Sequence, residues 1–263
     1  MSERTPIFYD HVSLMTNHEV APNHFVLTFE HSKMASLAQP GQFVMIKPEK
    51  GSILLGRPYS IFRVDGSKLS FLYKIYGKGS REISRLKPGD SVYAWGPLGN
   101  GFRPTQTNEW LWVAGGVGVA PFLFLAQRSP KNIKMKLFFG IKTSDHAILK
   151  NEFEELGCSV TFVTEDGSLG EKGFVTDVLR KELNQGPRTT IELFTCGPRL
   201  MEAKVAQISR ENHLRCQVAF EEYMGCGLGT CMGCVVECHD GKASYYKRVC
   251  REGPVFMADE MVW

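Results

Sequence analysis

The sequence predicts an all-β unit, then an α/β unit, then a small cysteine-rich end. Three observations carry that prediction. From Phe8 to about Gly101, β-branched and aromatic runs are broken by turn residues. From Leu111 to Glu221, such runs alternate with segments of helical period. From Tyr223 to Cys250, "YMGCGLGTCMGCVVECHDGKASYYKRVC" holds five of the eight cysteines. A chain of 263 residues has room for two compact domains and an appendage.

In the first unit, "HFVLTFE", "GQFVMIK", "PYSIFRV", "KLSFLYKIY" and "SVYAWGPLG" are the strands, and "QPGQ", "VDGS" and "KPGD" the turns. Short strands at this spacing with little helix predict a small antiparallel β-barrel. One helix, "SREISRL", follows the glycines of "YGKGS". The polar stretch "FRPTQTNE" is the predicted linker. Beyond it, "LWVAGG", "KMKLFFGI", "CSVTFVT", "TIELFTCG" and "QVAFE" are strands. Helices "VAPFLFLAQRS", "AILKNEFEEL", "FVTDVLRKEL" and "RLMEAKVAQISREN" lie between them. That alternation predicts a doubly wound parallel α/β domain, whose ligands lie beyond the carboxyl ends of its strands. The expected division is residues 1–104, 105–222 and 223–263.

Composition narrows the function classes. The chain is 43% hydrophobic and 22% charged with a net charge of +3, and has no Lys/Arg run, which argues against a nucleic-acid partner. The start "MSERTPIFYD" lacks a signal's apolar core. The longest apolar run, near "GVGVAPFLFLA", is too short to span a bilayer. The expectation is a cytoplasmic protein with no membrane partner. In a reducing compartment, clustered cysteines point to metal or redox work rather than disulfides.

Cys226, Cys231 and Cys234 follow C-x4-C-x2-C, with Cys250 after 15 intervening residues, the plant-type [2Fe–2S] ligand spacing. Gly225, Gly227, Gly229 and Gly233 suit a loop that wraps a cluster and turns backbone N–H groups toward it. Cys250 is expected on a returning hairpin turned by "HDGKA". The alternative is a structural zinc site, but zinc knots usually offer two short cysteine pairs and the second is missing here. Cys238 is the other candidate fourth ligand, but only four residues after Cys234 it would strain the loop, and it is expected to be a bystander. Cys158 and Cys216 are expected to be buried free thiols. The seven histidines show no metal spacing, and no Ser-His-Asp or paired-carboxylate arrangement emerges.

Two further signals precede the cysteines. "GRPYSIF" sets Arg57, Pro58, Tyr59 and Ser60 at a strand start. About 15 residues on, "LYKIYGKGS" puts Gly79 and Ser80 at a helix N-terminus, a ready anion site. "VAGGVGVAP" lies between strand and helix but is not G-x-G-x-x-G, because Pro121 falls where the third small residue belongs.

In this order, these residues resemble the ferredoxin–NADP⁺ reductase superfamily, whose barrel carries FAD. The resemblance implies that Arg57 pairs with the FAD diphosphate, Tyr59 stacks on the flavin and Ser60 approaches its reactive nitrogen. It places Leu72, Tyr73 and Lys74 along the flavin and ribityl chain, and Gly79 and Ser80 at phosphate. The G-G-x-G-x-A-P loop and a C-G-P strand end imply that Gly115, Gly116, Gly118, Cys196, Gly197 and Pro198 lie beside NAD(H). The sequence does not separate NADH from NADPH.

NADH gives up two electrons together and an iron–sulfur cluster carries one, so a flavin between them completes a converter. A substrate barrel of about 250 residues has no room in this chain. Electrons are therefore expected to pass to another protein. With the ending "RVCREGPVF", the whole chain resembles the electron-transfer subunits of class B, NAD-dependent dihydroorotate dehydrogenase. That resemblance implies an FMN-containing catalytic partner that oxidises dihydroorotate to orotate in pyrimidine biosynthesis. It also implies a heterotetramer with two copies of each subunit. Electrons would run from FMN through the cluster and FAD to NAD⁺. Tyr59 departs from the aliphatic residue that many members carry. The alternative is the small subunit of a sulfhydrogenase or of an NADH-dependent reduced-ferredoxin:NADP⁺ oxidoreductase.

Overall fold

The computed structural model describes residues 6–184 and 190–263. The first five residues of the polar start lie outside them. Seven strands form the first sheet: β1 (Phe8–Ala21), β2 (His24–Glu30), β3 (Phe43–Pro48), β4 (Arg57–Ser60), β5 (Arg63–Asp65), β6 (Lys68–Lys74) and β7 (Ser91–Leu98). Their order is β4-β3-β7-β1-β2-β6-β5, and every pairing is antiparallel. The two edge strands β4 and β5 are consecutive in the chain, so the sheet curls until its edges meet. Two backbone bonds hold that corner, Ile61 N–H to Gln42 O and Phe62 N–H to Ser70 O, both 2.9 Å. Alternate residues fill the interior, among them Leu27, Phe29, Val44, Ile46, Leu69 and Phe71, all fully buried. Helices α1 (Ser32–Leu37) and α2 (Lys78–Ser84) accompany the sheet.

β1, the longest strand, is absent from the sequence reading. Its stretch "FYDHVSLMTNHEVA" buries only Val12 and Leu14, so it carries almost no alternating signal.

The second unit has β8 (Glu109–Gly115), α3 (Ala120–Gln127), β9 (Lys134–Ile141), α4 (Lys150–Glu155), β10 (Cys158–Thr164), β11 (Glu171–Lys172), α5 (Val175–Leu183), β12 (Ile191–Cys196), α6 (Arg199–Glu211) and β13 (Arg215–Ala219). The cysteine-rich end adds the hairpin β14 (Val235–His239) and β15 (Ser244–Arg248), then β16 (Val255–Met257). The second sheet runs β11-β10-β9-β8-β12-β13-β16, parallel except for β16. Strand order reverses between β8 and β12, which creates the crevice where ligands of such sheets bind.

The linker is tied down rather than loose. Thr105 donates its backbone N–H and hydroxyl to Glu192 Oε2 at 2.7 and 2.9 Å. The other oxygen of this fully buried carboxylate accepts from Arg215 Nε at 2.7 Å and Gln217 Nε2 at 2.8 Å. A buried charge is tolerated only when paired this completely.

β16 makes the third unit less separate than a boundary at residue 223 suggests, because the chain after Cys250 becomes an edge strand of the α/β sheet. One apolar cluster joins all three units. Phe43, Met45, Trp95 and Leu98 come from the barrel, Val218 and Phe220 from the sheet, and Cys234, Val249 and Phe256 from the end segment. Among the described residues, no helix is long and apolar enough to cross a membrane.

Candidate functional site

The expected site residues fall into three constellations. The first is on the barrel. The Arg57 guanidinium lies directly over Gly79 in the first turn of α2, where any Cβ would overlap it. Its Nη1 donates to Leu55 O at 2.9 Å and Gly56 O at 3.3 Å, which fixes the side chain against the helix start. Tyr59 packs on Tyr73, ring centroids 4.9 Å apart, and the Tyr59 hydroxyl is buried without a hydrogen-bond partner. Burial pushes both phenols well above their ordinary range. Asn17, unremarkable in the sequence, organises this region. It accepts from Tyr73 Oη at 2.9 Å and donates to Ile83 O at 2.8 Å and Leu86 O at 2.9 Å, joining β1, β6 and the end of α2.

An orphaned buried hydroxyl, a fixed guanidinium and a side-chain-free turn fit a flavin with its diphosphate. Other expected residues take different positions. Leu72 and Tyr73 point into the packed interior, which leaves their backbone as the available surface. The Ser80 hydroxyl is spent inside the turn, accepting from Tyr76 N–H at 2.9 Å and Gly77 N–H at 3.2 Å. Pro58 and Ser60 stand opposite Met45 and Phe43 in the β3–β4 pairing.

The second constellation is a cavity of about 690 Å³ between the barrel and the carboxyl edge of the second sheet. Gly115, Gly116 and Gly118 after β8 and Gly197 and Pro198 after β12 line it. The two loops interlock, since a Cβ on Gly118 would overlap the Cys196 carbonyl and one on Gly115 would press on Pro198. Lys74, expected beside the flavin, opens into this cavity with His24 and Tyr76. Cys196 is buried, and burial pushes its thiol well above the ordinary value, with Glu221 and Glu202 adding to the shift. Expected beside NAD(H), it packs behind the cavity wall that Gly197 and Pro198 form, and is not a nucleophile. Glu202 beneath it accepts Gly197 N–H at 3.0 Å, and burial raises its carboxyl well above the carboxylate range. Glu221 faces the cavity. Neither acid carried a sequence signal.

The third constellation is the cysteine loop. Among the described residues, no three His, Cys, Asp or Glu side chains are drawn together as for a single ion. Cys231 hydrogen-bonds to Cys226 and Cys234 to Cys250, and Cys226 also acts on Cys250. Four thiols in contact in this way fit the donor set that a [2Fe–2S] cluster would take. Backbone N–H groups converge on the sulfurs: Leu228 N–H lies 3.3 Å from Cys226 Sγ, and Cys250 N–H 3.4 Å from Cys234 Sγ. Burial alone would raise the Cys226 thiol, but donors from Cys231, Leu228 and Thr230 pull it down to about 6. Burial and the neighbouring Cys234 push Cys250 up to about 12, a penalty that bound cations reverse. Cys250 follows the β14–β15 hairpin as expected, and Arg248 on that hairpin donates to Gly229 O at 2.8 Å, closing the loop. Cys238 shares the buried face of β14 with Val236 but lies four residues beyond Cys234, with its thiol 3.8 Å from Met261 Sδ.

Comparison with known proteins bears on all three. Residues 221–262 match the family model for the iron–sulfur cluster binding domain of dihydroorotate dehydrogenase B, and residues 112–207 that for the oxidoreductase NAD-binding domain. A dihydroorotate dehydrogenase B (NAD(+)) electron transfer subunit from Caldanaerobacter subterraneus subsp. tengcongensis is 37% identical, covering 95% of this chain and 97% of that one. The chain belongs to that family. Among solved structures, that of an NADH-dependent reduced ferredoxin-NADP oxidoreductase, described for flavin-based electron bifurcation, superposes with a TM-score of 0.85. It is 28% identical and covers 96% of this chain and 90% of its own. A ferredoxin NADP⁺ reductase from Neisseria gonorrhoeae with bound FAD and NADP shares the fold at a TM-score of 0.66 and 15% identity, covering 80% of this chain and 92% of its own. The electron transfer subunit family accordingly joins a reductase-type fold to the terminal cysteine domain.

Proposed function

We propose that the chain is the electron-transfer subunit of a dihydroorotate dehydrogenase B. It carries electrons between an FMN-containing catalytic subunit and NAD⁺, in an assembly with two copies of each subunit. The observation that carries this reading is continuity. The cysteine loop is seated on the barrel, the barrel closes one side of the cavity, and the second sheet closes the other.

FAD, when bound, exchanges the electron pair of a hydride for the single electrons that a [2Fe–2S] cluster carries. The protein's part is positional. Arg57 and the backbone of Gly79 and Ser80 would hold the flavin diphosphate, and Tyr59 and Ser60 would flank its ring. The interlocked loops at Gly115, Gly116, Gly118, Cys196, Gly197 and Pro198 would orient the nicotinamide end of NAD(H) and exclude water there. Cys226, Cys231, Cys234 and Cys250 would hold the cluster, with Cys238 left out. Residues 1–104, 105–222 and 223–263 would serve these three tasks. The solved-structure likeness to a ferredoxin-NADP oxidoreductase keeps that assembly as the alternative. The 37% identity across nearly the whole chain favours the dihydroorotate enzyme.

The test is recovery of the native complex under anaerobic conditions. Expected are a flavin-bearing partner and dihydroorotate-dependent reduction of NAD⁺. A partner that carries [4Fe–4S] clusters and gives no dihydroorotate-dependent activity would overturn the reading.

A further inference from the structure

The cavity has a charge pattern that the glycine loops do not explain. Along the carboxyl edge of the second sheet, its lining residues follow strand order. Glu165 comes after β10, Lys142 and His146 after β9, the glycine loops after β8 and β12, and Glu221 after β13. The basic groups therefore lie between two acids, next to the backbone of Gly116 and Gly118.

Across the cavity, the barrel presents His24 and Lys74, which face each other in the β2–β6 register. His24 and His146 meet edge to face, ring centroids 5.3 Å apart, one from each side of the cleft. His24 is nearly fully buried, and its Nδ1 donates to Pro22 O at 2.8 Å. Only Nε2 is then left to answer to the cavity, as an acceptor when neutral and a donor when protonated. His146 Nδ1 shares a hydrogen bond with Thr143 Oγ1 at 3.1 Å, which likewise fixes its ring.

We propose that His24 and His146 clasp the diphosphate of NAD(H) from opposite sides of the cleft, with Lys74 and Lys142 beside them, and that seating the dinucleotide draws a proton onto the pair. This rests on reading the cavity as the NAD(H) site. The rings touch each other, so the anion is held against the edges they turn to the cavity, where its charge favours the imidazolium. Burial holds His24 below its ordinary range, opposed by its hydrogen bond to Pro22 O and by Glu19 on β1, and helped by Lys74 and His146. Glu165 and Glu221 are the other acids of the wall, and Lys204 its remaining cation. An anion seated against His24 favours its charged form, so binding takes up a proton and affinity rises as pH falls.

Calorimetry on the FAD- and cluster-loaded chain tests this, with NAD⁺, inorganic pyrophosphate and adenosine as probes in two buffers of different ionisation enthalpy. Expected is proton uptake, with NAD⁺ and pyrophosphate binding about tenfold tighter near pH 6 than near pH 8, while adenosine is indifferent. His146→Asn and His24→Gln should each flatten that dependence with FAD content unchanged. Binding of NAD⁺ that is independent of pH and releases or takes up no proton would overturn the proposal, as would variants that keep the full dependence. Absence of NAD⁺ binding at every pH would instead strike down the assignment of the cavity itself.

Discussion

Trp95, on the last barrel strand, donates its indole N–H to the carbonyl of Cys226 at 3.0 Å. The bond joins residues 131 apart and fixes the first cysteine of the loop to the wall of the barrel. Gly56 makes room for it, since any side chain there would overlap the Trp95 ring. Trp95→Phe keeps the apolar contact and deletes the donor, at a cost of about 1 kcal/mol. The cluster should be lost several times faster in air, followed by visible absorbance and iron content, with FAD retained. Unchanged cluster lifetime would show that packing alone holds the loop.

Gly79→Ala should displace the Arg57 guanidinium from the first turn of α2. A flexible side chain can swing aside, so thermal stability should barely change. The retention of FAD should fall by about tenfold or more, the worth of a charge-assisted contact to phosphate. FAD release on dilution, read by flavin fluorescence, is the measurement.

Gly118→Ala presses on backbone rather than on a mobile side chain. The carbonyl of Cys196 has nowhere to go, so the two cavity loops should part, at a cost of about 1–3 kcal/mol in stability. The KM for NADH should rise steeply while FAD content stays at one per chain. A variant with normal NADH affinity would show that the interlock is not what shapes the cavity.

Cys231→Ser should abolish the cluster. Iron content and the low-temperature paramagnetic resonance of a two-iron centre would both vanish in reduced protein. Flavin-dependent NADH oxidation by artificial dyes should persist, because the residues placed at FAD and at NAD(H) lie outside the loop. Loss of FAD along with the iron would mean that the loop supports the barrel as well as resting on it.

Glu202 sets a pH dependence of folding. Its carboxyl is raised in the folded chain by burial, so the unfolded chain ionises first as pH rises. From the ordinary glutamate value near 4.5 upward, the native state therefore holds more protons than the unfolded one, and stability falls with increasing pH. Glu202→Gln keeps an acceptor for Gly197 N–H and removes the titration. Its melting temperature should exceed that of the parent at alkaline pH, with the gap closing toward pH 4.5.

The sequence displayed some parts of this molecule openly. β2, β9 and β10 match their quoted segments from end to end, because each is a dense β-branched or aromatic run bounded by polar residues. The cysteine spacing and the hairpin turn before Cys250 were equally plain, since both are local. What stayed hidden depends on distant partners. β1 is half exposed and polar, so no period marks it. The tie from Asn17 to Tyr73 and α2, the bond from Trp95 to Cys226 and the histidine pair across the cleft all join residues far apart in the chain. β16 is three residues long and is a strand only because β13 offers it an open edge.

That last strand has a mechanical consequence. The polypeptide leaves the sheet at Ala219, passes the four thiols and returns to the same sheet edge at Val255, while Trp95 grips the outbound path from the barrel. The segment is thus a sling fastened at both ends to one body and pinned near its start to the other. Filling it with metal should stiffen the hinge between the two, so that the outermost strand exchanges its amide hydrogens more slowly in iron-loaded protein than in stripped protein.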